Sequence, residues 1–165
     1  MGFYTSSSSA ASSDSDRLPV AIACLRQGRD AQAFLLLSEQ PDEKRSAARF
    51  ALGLCYVHAG GWSAAAPLFE QALVLLRALT APMGTIKNSD TYLKLATKQI
   101  KEEVYLSPLD ADFCRRFPHA AAQAVTPVLI YVYKKQGIDT QARQLVDSLT
   151  GPEFESYKKE FVDSV

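Results

Sequence analysis

Cysteine and histidine are the residue types of this chain best suited to nucleophilic or metal chemistry. Cys55 and His58 are three residues apart, a spacing that puts a thiol and an imidazole on one face of a helix, as a cysteine nucleophile requires. Cys24, Cys114 and His119 lie far from this pair, and no Cys-x-x-Cys or His-Glu-x-x-His spacing occurs. We therefore expect buried reduced thiols, no metal, no cofactor and no catalysis. The alternative hypothesis is a small enzyme or ligand-binding domain that uses Cys55 and His58.

Charge and composition narrow the class of protein. The 165 residues carry 18 Lys and Arg against 18 Asp and Glu, so the formal net charge is zero and no global field favours a nucleic-acid partner. No apolar run reaches the ~20 residues that a membrane helix needs. Dispersed cysteines, three in number, are typical of a cytoplasmic protein. The serine-rich residues 1–16 predict a disordered tail before a single domain at 17–165.

A glycine pair divides the apolar stretch at 49–73. Residues 45–59 are rich in alanine and leucine, which favours a helix over a strand. Gly60 and Gly61 then supply a left-handed helix end and a turn. Ser63 is a candidate N-cap, and apolar residues recur after it at helical spacing. The stretch therefore predicts two antiparallel helices joined by a tight turn.

The same pattern occurs three times along the chain. In each copy an apolar helix, a glycine, four residues and an alanine precede another apolar helix. The glycine–alanine pairs are Gly28 with Ala33, Gly60 with Ala65, and Gly137 with Ala142. A recurring unit of this kind predicts an all-α protein made of stacked helical hairpins.

The middle copy resembles a tetratricopeptide repeat (TPR). Leu52, Gly53 and Tyr56 match the Leu-Gly-x2-Tyr pattern of that family, and Ala65 and Phe69 match its Ala-x3-Phe pattern. The resemblance implies a right-handed superhelix of antiparallel helical hairpins with about three repeats. Residues 81–118 are then an inserted helical segment or a degenerate repeat, with helices expected at 90–105 and 110–117, and 152–163 form a C-terminal capping helix.

The resemblance also implies a function, because the first helix of each repeat lines a concave groove in this family. The family register gives eight groove residues: Leu18, Ile22, Leu25, Phe50, Leu54, His58, Tyr131 and Lys134. Most are apolar, so we expect a non-enzymatic adaptor, scaffold or chaperone-like protein that binds an apolar peptide or helix of a partner protein. The alternative is a stable subunit of a larger complex whose own residues, at 90–105, fill the groove.

Overall fold

The computed structural model describes residues 17–39, 45–79, 107–149, 154–155 and 158–159. The main helices in these ranges are α1 (Arg17–Arg26), α2 (Asp30–Ser38), α3 (Ser46–His58), α4 (Trp62–Ala78), α5 (Ala111–Arg116), α6 (Pro118–Gln136) and α7 (Asp139–Ser148). This part of the chain contains no strand, so the prediction of an all-α protein is confirmed for it. None of its helices combines the length and the apolar character needed to cross a bilayer. The predicted tail at 1–16, the helix at 90–105 and most of the capping helix at 152–163 lie outside the described residues.

Three hairpins, α1–α2, α3–α4 and α6–α7, share one turn geometry. The turn glycines Gly28, Gly60 and Gly137 have φ values of 68°, 74° and 72°. In each turn the glycine N–H donates to the carbonyl three residues earlier, and the next N–H donates to the carbonyl five residues earlier, at 2.7 to 3.1 Å. This is a Schellman motif, whose left-handed position favours glycine because glycine has no Cβ.

The residue after each turn glycine starts the second helix in a single conformation. Arg29, Gly61 and Ile138 precede α2, α4 and α7 with φ between −96° and −85° and ψ between 59° and 63°. The alanine four residues further on donates its N–H to the carbonyl of that residue at 3.0 to 3.2 Å. The side chain of each of these alanines is fully buried. The glycine-to-alanine pattern in the sequence is therefore a recurring turn in three dimensions.

The helices pack in the order of the hairpins. α1 packs on α2, α2 on α3, α3 on α4, α4 on α6, and α6 on α7. His58 Nδ1 at the end of α3 lies 3.1 Å from Asp30 Oδ1 at the start of α2. Gln136 Nε2 at the end of α6 donates to the carbonyl of Trp62 at the start of α4, also at 3.1 Å. These contacts place the three glycine turns along one edge of the stack, which we call the turn edge.

A close approach of α3 and α4 requires Gly53. The rings of Phe50 and Phe69 pack with their centroids 5.4 Å apart, and both are buried. A Cβ added to Gly53 would lie 2.5 Å from Cε1 of Phe69, which is closer than packed carbon atoms allow. The glycine of the Leu-Gly-x2-Tyr pattern is therefore needed for helix packing and not for a turn.

The predicted insert interrupts the chain but not the order of packing. α4 packs directly on α6, although the two helices are separated by the segment that follows Ala78 and ends before Pro118. Within that segment, the short helix predicted at 110–117 is present as α5. Asp110 caps α5 by accepting a hydrogen bond from the N–H of Asp112 at 2.8 Å. α5 packs against both α3 and α6.

Candidate functional site

Five of the eight predicted groove residues lie in the hydrophobic core. Leu18, Ile22, Leu25, Phe50 and Leu54 are at most 6% exposed. They offer almost no surface to a partner in this structure. Phe50 and Leu54 are on α3, which is contacted by α1, α2, α4 and α5, and the other three are on α1, which packs on α2 and α3. Side chains that would face an open groove in a simple stack are covered by other helices of this chain.

The other three predicted residues, His58, Tyr131 and Lys134, lie towards the turn edge. His58 and Lys134 are exposed, and Tyr131 is half-buried. Asp30 Oδ1 is buried beside His58 Nδ1. The two atoms are 3.1 Å apart, within the range of an ion-pair contact between α3 and α2. His58 thus joins the first two hairpins.

An aromatic and cationic cluster lies at the turn edge between α4 and α6. The rings of Trp62 and Tyr131 meet edge to face, with centroids 5.7 Å apart and an interplanar angle of 81°. Lys135 Nζ lies 5.5 Å from the centroid of the Tyr131 ring, in the geometry of a cation–π contact. The hydrogen bond from Gln136 to the Trp62 carbonyl holds the two helix ends together. We call Trp62, Tyr131, Lys135 and Gln136 the turn-edge patch.

The chemistry of the turn-edge patch suits recognition of another protein. Trp62 and Tyr131 are half-buried, so each ring is held by packing while part of it faces solvent. Anchored aromatic side chains are the commonest hot spots of protein interfaces. The family register identified Tyr131 and missed Trp62. Trp62 could have been found from its position two residues after the turn glycine Gly60. At that position the start of α4 contacts the end of α6.

A second contact between α4 and α6 fixes how these helices lie against each other. The Tyr133 hydroxyl donates a hydrogen bond to Glu70 Oε1. Burial, followed by the Glu70 carboxylate, raises the pKa of Tyr133 well above its ordinary range. The phenol therefore remains a donor at all physiological pH values. Because this bond joins α4 to α6, it helps to fix the two helices that carry the turn-edge patch.

The space between α3 and α6 is occupied by α5 at the edge opposite the turns. Cys114 of α5 is buried and lies close to Ser46, the first residue of α3. A cavity of about 360 Å³ lies next to this contact and is bounded by Arg45, Leu79, Arg115 and their neighbours. The residues expected to fill the groove, 90–105, lie outside the described ranges. Among the described residues, α5 is the element that lies between α3 and α6.

The environment of Cys55 does not activate the thiol. Burial, and then the negative charge of Asp30, raises its pKa to about 11, and burial likewise raises the pKa of Cys114 to about 11. Both groups are neutral thiols at physiological pH, whereas a nucleophile must be a thiolate. His58, the base that the sequence spacing suggests, contacts Asp30. In the described part of the chain, no three His, Cys, Asp or Glu side chains are grouped to hold a metal ion.

Comparison with known proteins identifies no relative. No family model matches the chain, and neither a curated protein nor a solved structure matches it. The resemblance to the tetratricopeptide family therefore depends on the residues and the turn geometry of this chain alone.

Proposed function

We propose that the chain is a non-enzymatic protein-interaction module built as a right-handed, TPR-like superhelix. Three features support this architecture: the same Schellman turn in each hairpin, the buried alanine that follows it, and the single edge that the turns share. Stacks of such hairpins present extended surfaces to other proteins. The zero net charge favours a protein partner over a nucleic acid, and three buried free thiols fit the reducing cytoplasm.

The turn-edge patch carries this proposal, because it contains Tyr131, one of the three predicted groove residues that are not in the core. Trp62 and Tyr131 offer apolar ring surface, and Lys135 adds a positive charge beside them. The segment that fits this surface is an apolar peptide or helix with a carboxylate close to its apolar side chains. α5 closes the opposite part of the groove, so the bound segment is expected to lie along the turn edge.

Selection from a library of short displayed peptides tests this proposal. Peptides selected on the full chain are labelled, and their dissociation constants are measured by fluorescence polarisation with the wild type, Tyr131→Ala and Lys135→Glu. We expect Tyr131→Ala to weaken binding about tenfold or more, because truncation removes an anchored aromatic surface and exposes the edge of Trp62. Lys135→Glu should give a smaller loss that decreases further as salt is added.

Val74→Glu is the matched control for these variants. Val74 is 65% exposed on the outer surface of α4 and stands among the exposed residues Glu70, Gln71 and Arg77. This variant should bind the selected peptides as the wild type does. If Tyr131→Ala and Lys135→Glu also bind as the wild type does, the turn-edge patch is not the binding site.

A second candidate function is that of a stable subunit whose groove is permanently filled by its own residues. The contacts of α5 with α3 and α6 favour it. Cys114→Asp separates the two candidates, since a buried carboxylate loosens α5 from α3. A permanent filler predicts a melting temperature lowered by about 4 °C or more. A replaceable α5 predicts an unchanged melting temperature.

A further inference from the structure

The three glycine turns carry a basic residue at one equivalent position. Arg26, His58 and Lys135 each stand two residues before the glycine of their turn, and all three are exposed. Because the turns share one backbone geometry, the Cβ atoms at this position occupy corresponding places at the ends of α1, α3 and α6. We call these three residues the basic row.

The basic row follows the turn edge in the order of the hairpins. α1 packs directly on α3, so Arg26 and His58 are about one interhelix distance, ~8–10 Å, apart. α3 and α6 both pack on α4, so Lys135 is about two such distances from His58. An extended chain covers about 3.3 Å per residue, so a segment of about seven to nine residues reaches along the whole row.

The cations at the two ends of the row are not neutralised by carboxylates in the described part of the chain. Arg26 has no ion-pair partner there, and Lys135 lies over an aromatic ring and not beside a carboxylate. At the opposite edge, by contrast, Arg17 pairs with Glu39, and Arg115 pairs with an aspartate of its own helix. The row therefore offers positive charge to a partner.

Two carboxylates also lie at the turn edge. Asp30, at the start of α2, contacts His58 Nδ1 at 3.1 Å and has its Oδ1 buried. Asp139, at the start of α7, is exposed. Two further exposed cations, Arg29 and Lys134, stand beside the row. The edge therefore keeps an excess of positive charge, although the formal net charge of the whole chain is zero.

We propose that the basic row binds an acidic segment of a partner protein. Carboxylates of the segment lie against Arg26 and His58, and an apolar side chain of the segment lies on the turn-edge patch beside Lys135. This binding mode depends on the proposed function, because the patch anchors the segment. The charges of the row add a choice of partner and a direction along the edge. His58 contacts Asp30 through Nδ1, which leaves Nε2 for the segment.

The aromatic pair beside the row favours a protein segment over a single-stranded nucleic acid. Proteins that bind single strands stack the bases on open aromatic faces. Here Lys135 Nζ lies 5.5 Å from the centroid of the Tyr131 ring. Trp62 meets Tyr131 edge to face, and both rings are half-buried. These contacts reduce the ring surface on which a base can stack.

The helix dipole also favours basic residues at these positions. A cation in the last turn of a helix stabilises the helix by itself, and all three members of the row lie in the last turn of their helices. The two roles differ in what a charge reversal changes. If the row serves stability alone, the reversal lowers the melting temperature and leaves the affinity for peptides unchanged.

Fluorescence polarisation with the peptides selected on the full chain tests the proposal. Each acidic peptide is compared with an analogue in which Gln and Asn replace its Glu and Asp. We expect the analogue to bind about fivefold or more weakly, and Arg26→Glu to weaken binding of the acidic peptide by a similar factor. Arg26→Glu should leave binding of the analogue unchanged. Arg77→Glu is the matched control, since Arg77 is an exposed cation at the other end of α4.

The outcomes separate the basic row from the turn-edge patch. Selected peptides without acidic residues, or an affinity that Arg26→Glu leaves unchanged, overturn the proposal for the row. The patch then still stands if Tyr131→Ala weakens binding. A selection that yields no binding peptide overturns both. A labelled oligothymidine that binds as tightly as the peptides, and loses affinity in Arg26→Glu, overturns the protein segment in favour of a nucleic acid. Circular dichroism checks that every variant keeps its helices.

Discussion

Asp30 shows why residue spacing alone misjudges the chemistry of Cys55 and His58. The sequence places the thiol and the imidazole on one face of α3, as a nucleophile and its base require. Asp30 comes from a different hairpin, and its carboxylate both pairs with His58 and raises the pKa of Cys55. No local pattern predicts this neighbour, because the contact depends on how two hairpins pack.

The raised pKa of Cys55 predicts a change of stability at alkaline pH. The unfolded chain releases the thiol proton near pH 9.0, whereas the folded chain holds it until about pH 11. Burial of the neutral thiol therefore stabilises the fold below pH 9, and this contribution is lost as the pH rises through about 11. Urea unfolding of the wild type and Cys55→Ala should show a difference in unfolding free energy that shrinks over this range.

The same raised pKa predicts slow alkylation of Cys55 in the folded chain at neutral pH. Mass spectrometry of the labelled protein measures the rate at each cysteine. Unfolding in urea should bring all three thiols to a common, faster rate. Rapid labelling of Cys55 in the native chain would favour the enzyme hypothesis.

Gly53 is the residue at which the smallest added group should have the largest effect. The Cβ of Gly53→Ala meets the ring of Phe69, which is fully buried. We expect a loss of about 1–3 kcal/mol in the unfolding free energy, as for an overpacked core. Gly61→Ala is the control, since its Cβ meets Tyr56 no closer than 3.3 Å and its φ of −85° is negative. A Gly53→Ala protein as stable as the control would show that the Phe69 ring can move to make room for the added Cβ.

The helical turns were the part of the architecture most accessible to prediction. A glycine five residues before an alanine is a local signal, and each turn is built from hydrogen bonds within about six residues of it. The groove residues were predicted from their positions in the repeat pattern. Those positions do not show which helices from other parts of the chain pack against them. Phe50 lies in the core because other helices pack around α3. Tyr131, towards the end of α6, has part of its ring exposed.

Because the three turns have the same geometry, replacing their glycines should lower the unfolding free energy by similar amounts. A Cβ at Gly28, Gly60 or Gly137 meets no atom within 4 Å, so an alanine there suffers only from the left-handed backbone. Each Gly→Ala variant should lose about 1–2 kcal/mol of unfolding free energy. Gly60→Asn should lose less than Gly60→Ala, because asparagine tolerates this conformation. Widely different costs at the three sites would indicate that the turns are not equivalent.

The cap of α5 predicts a local effect. Asp110 accepts the N–H of Asp112, and Asp110→Ala should weaken the helix by about 1 kcal/mol. Amide hydrogen exchange should then become faster within α5 and stay unchanged in α4 and α6. Asp110→Asn retains an acceptor and serves as the control. Faster exchange throughout the chain would mean that α5 is part of the cooperative core.

The stack as a whole predicts a gradient of local stability. Within the described ranges, α3 and α4 are packed between neighbouring helices on both sides, whereas α1 and α2 have neighbouring helices on one side only. Stacked repeats are stabilised mainly by nearest-neighbour contacts, so the ends open first. Hydrogen exchange at low protein concentration should be faster in α1 and α2 than in α3 and α4. A single exchange rate for all helices would indicate that the chain opens only as one unit.

Trp62 also gives the molecule a built-in optical reporter. It is the one tryptophan of the sequence, and its indole is held against Tyr131 at the turn edge. Its emission spectrum therefore reports the polarity of this one location, without background from another indole. A ligand that covers the ring should shift the emission to shorter wavelengths, and a partial parting of α4 from α6 should shift it the other way.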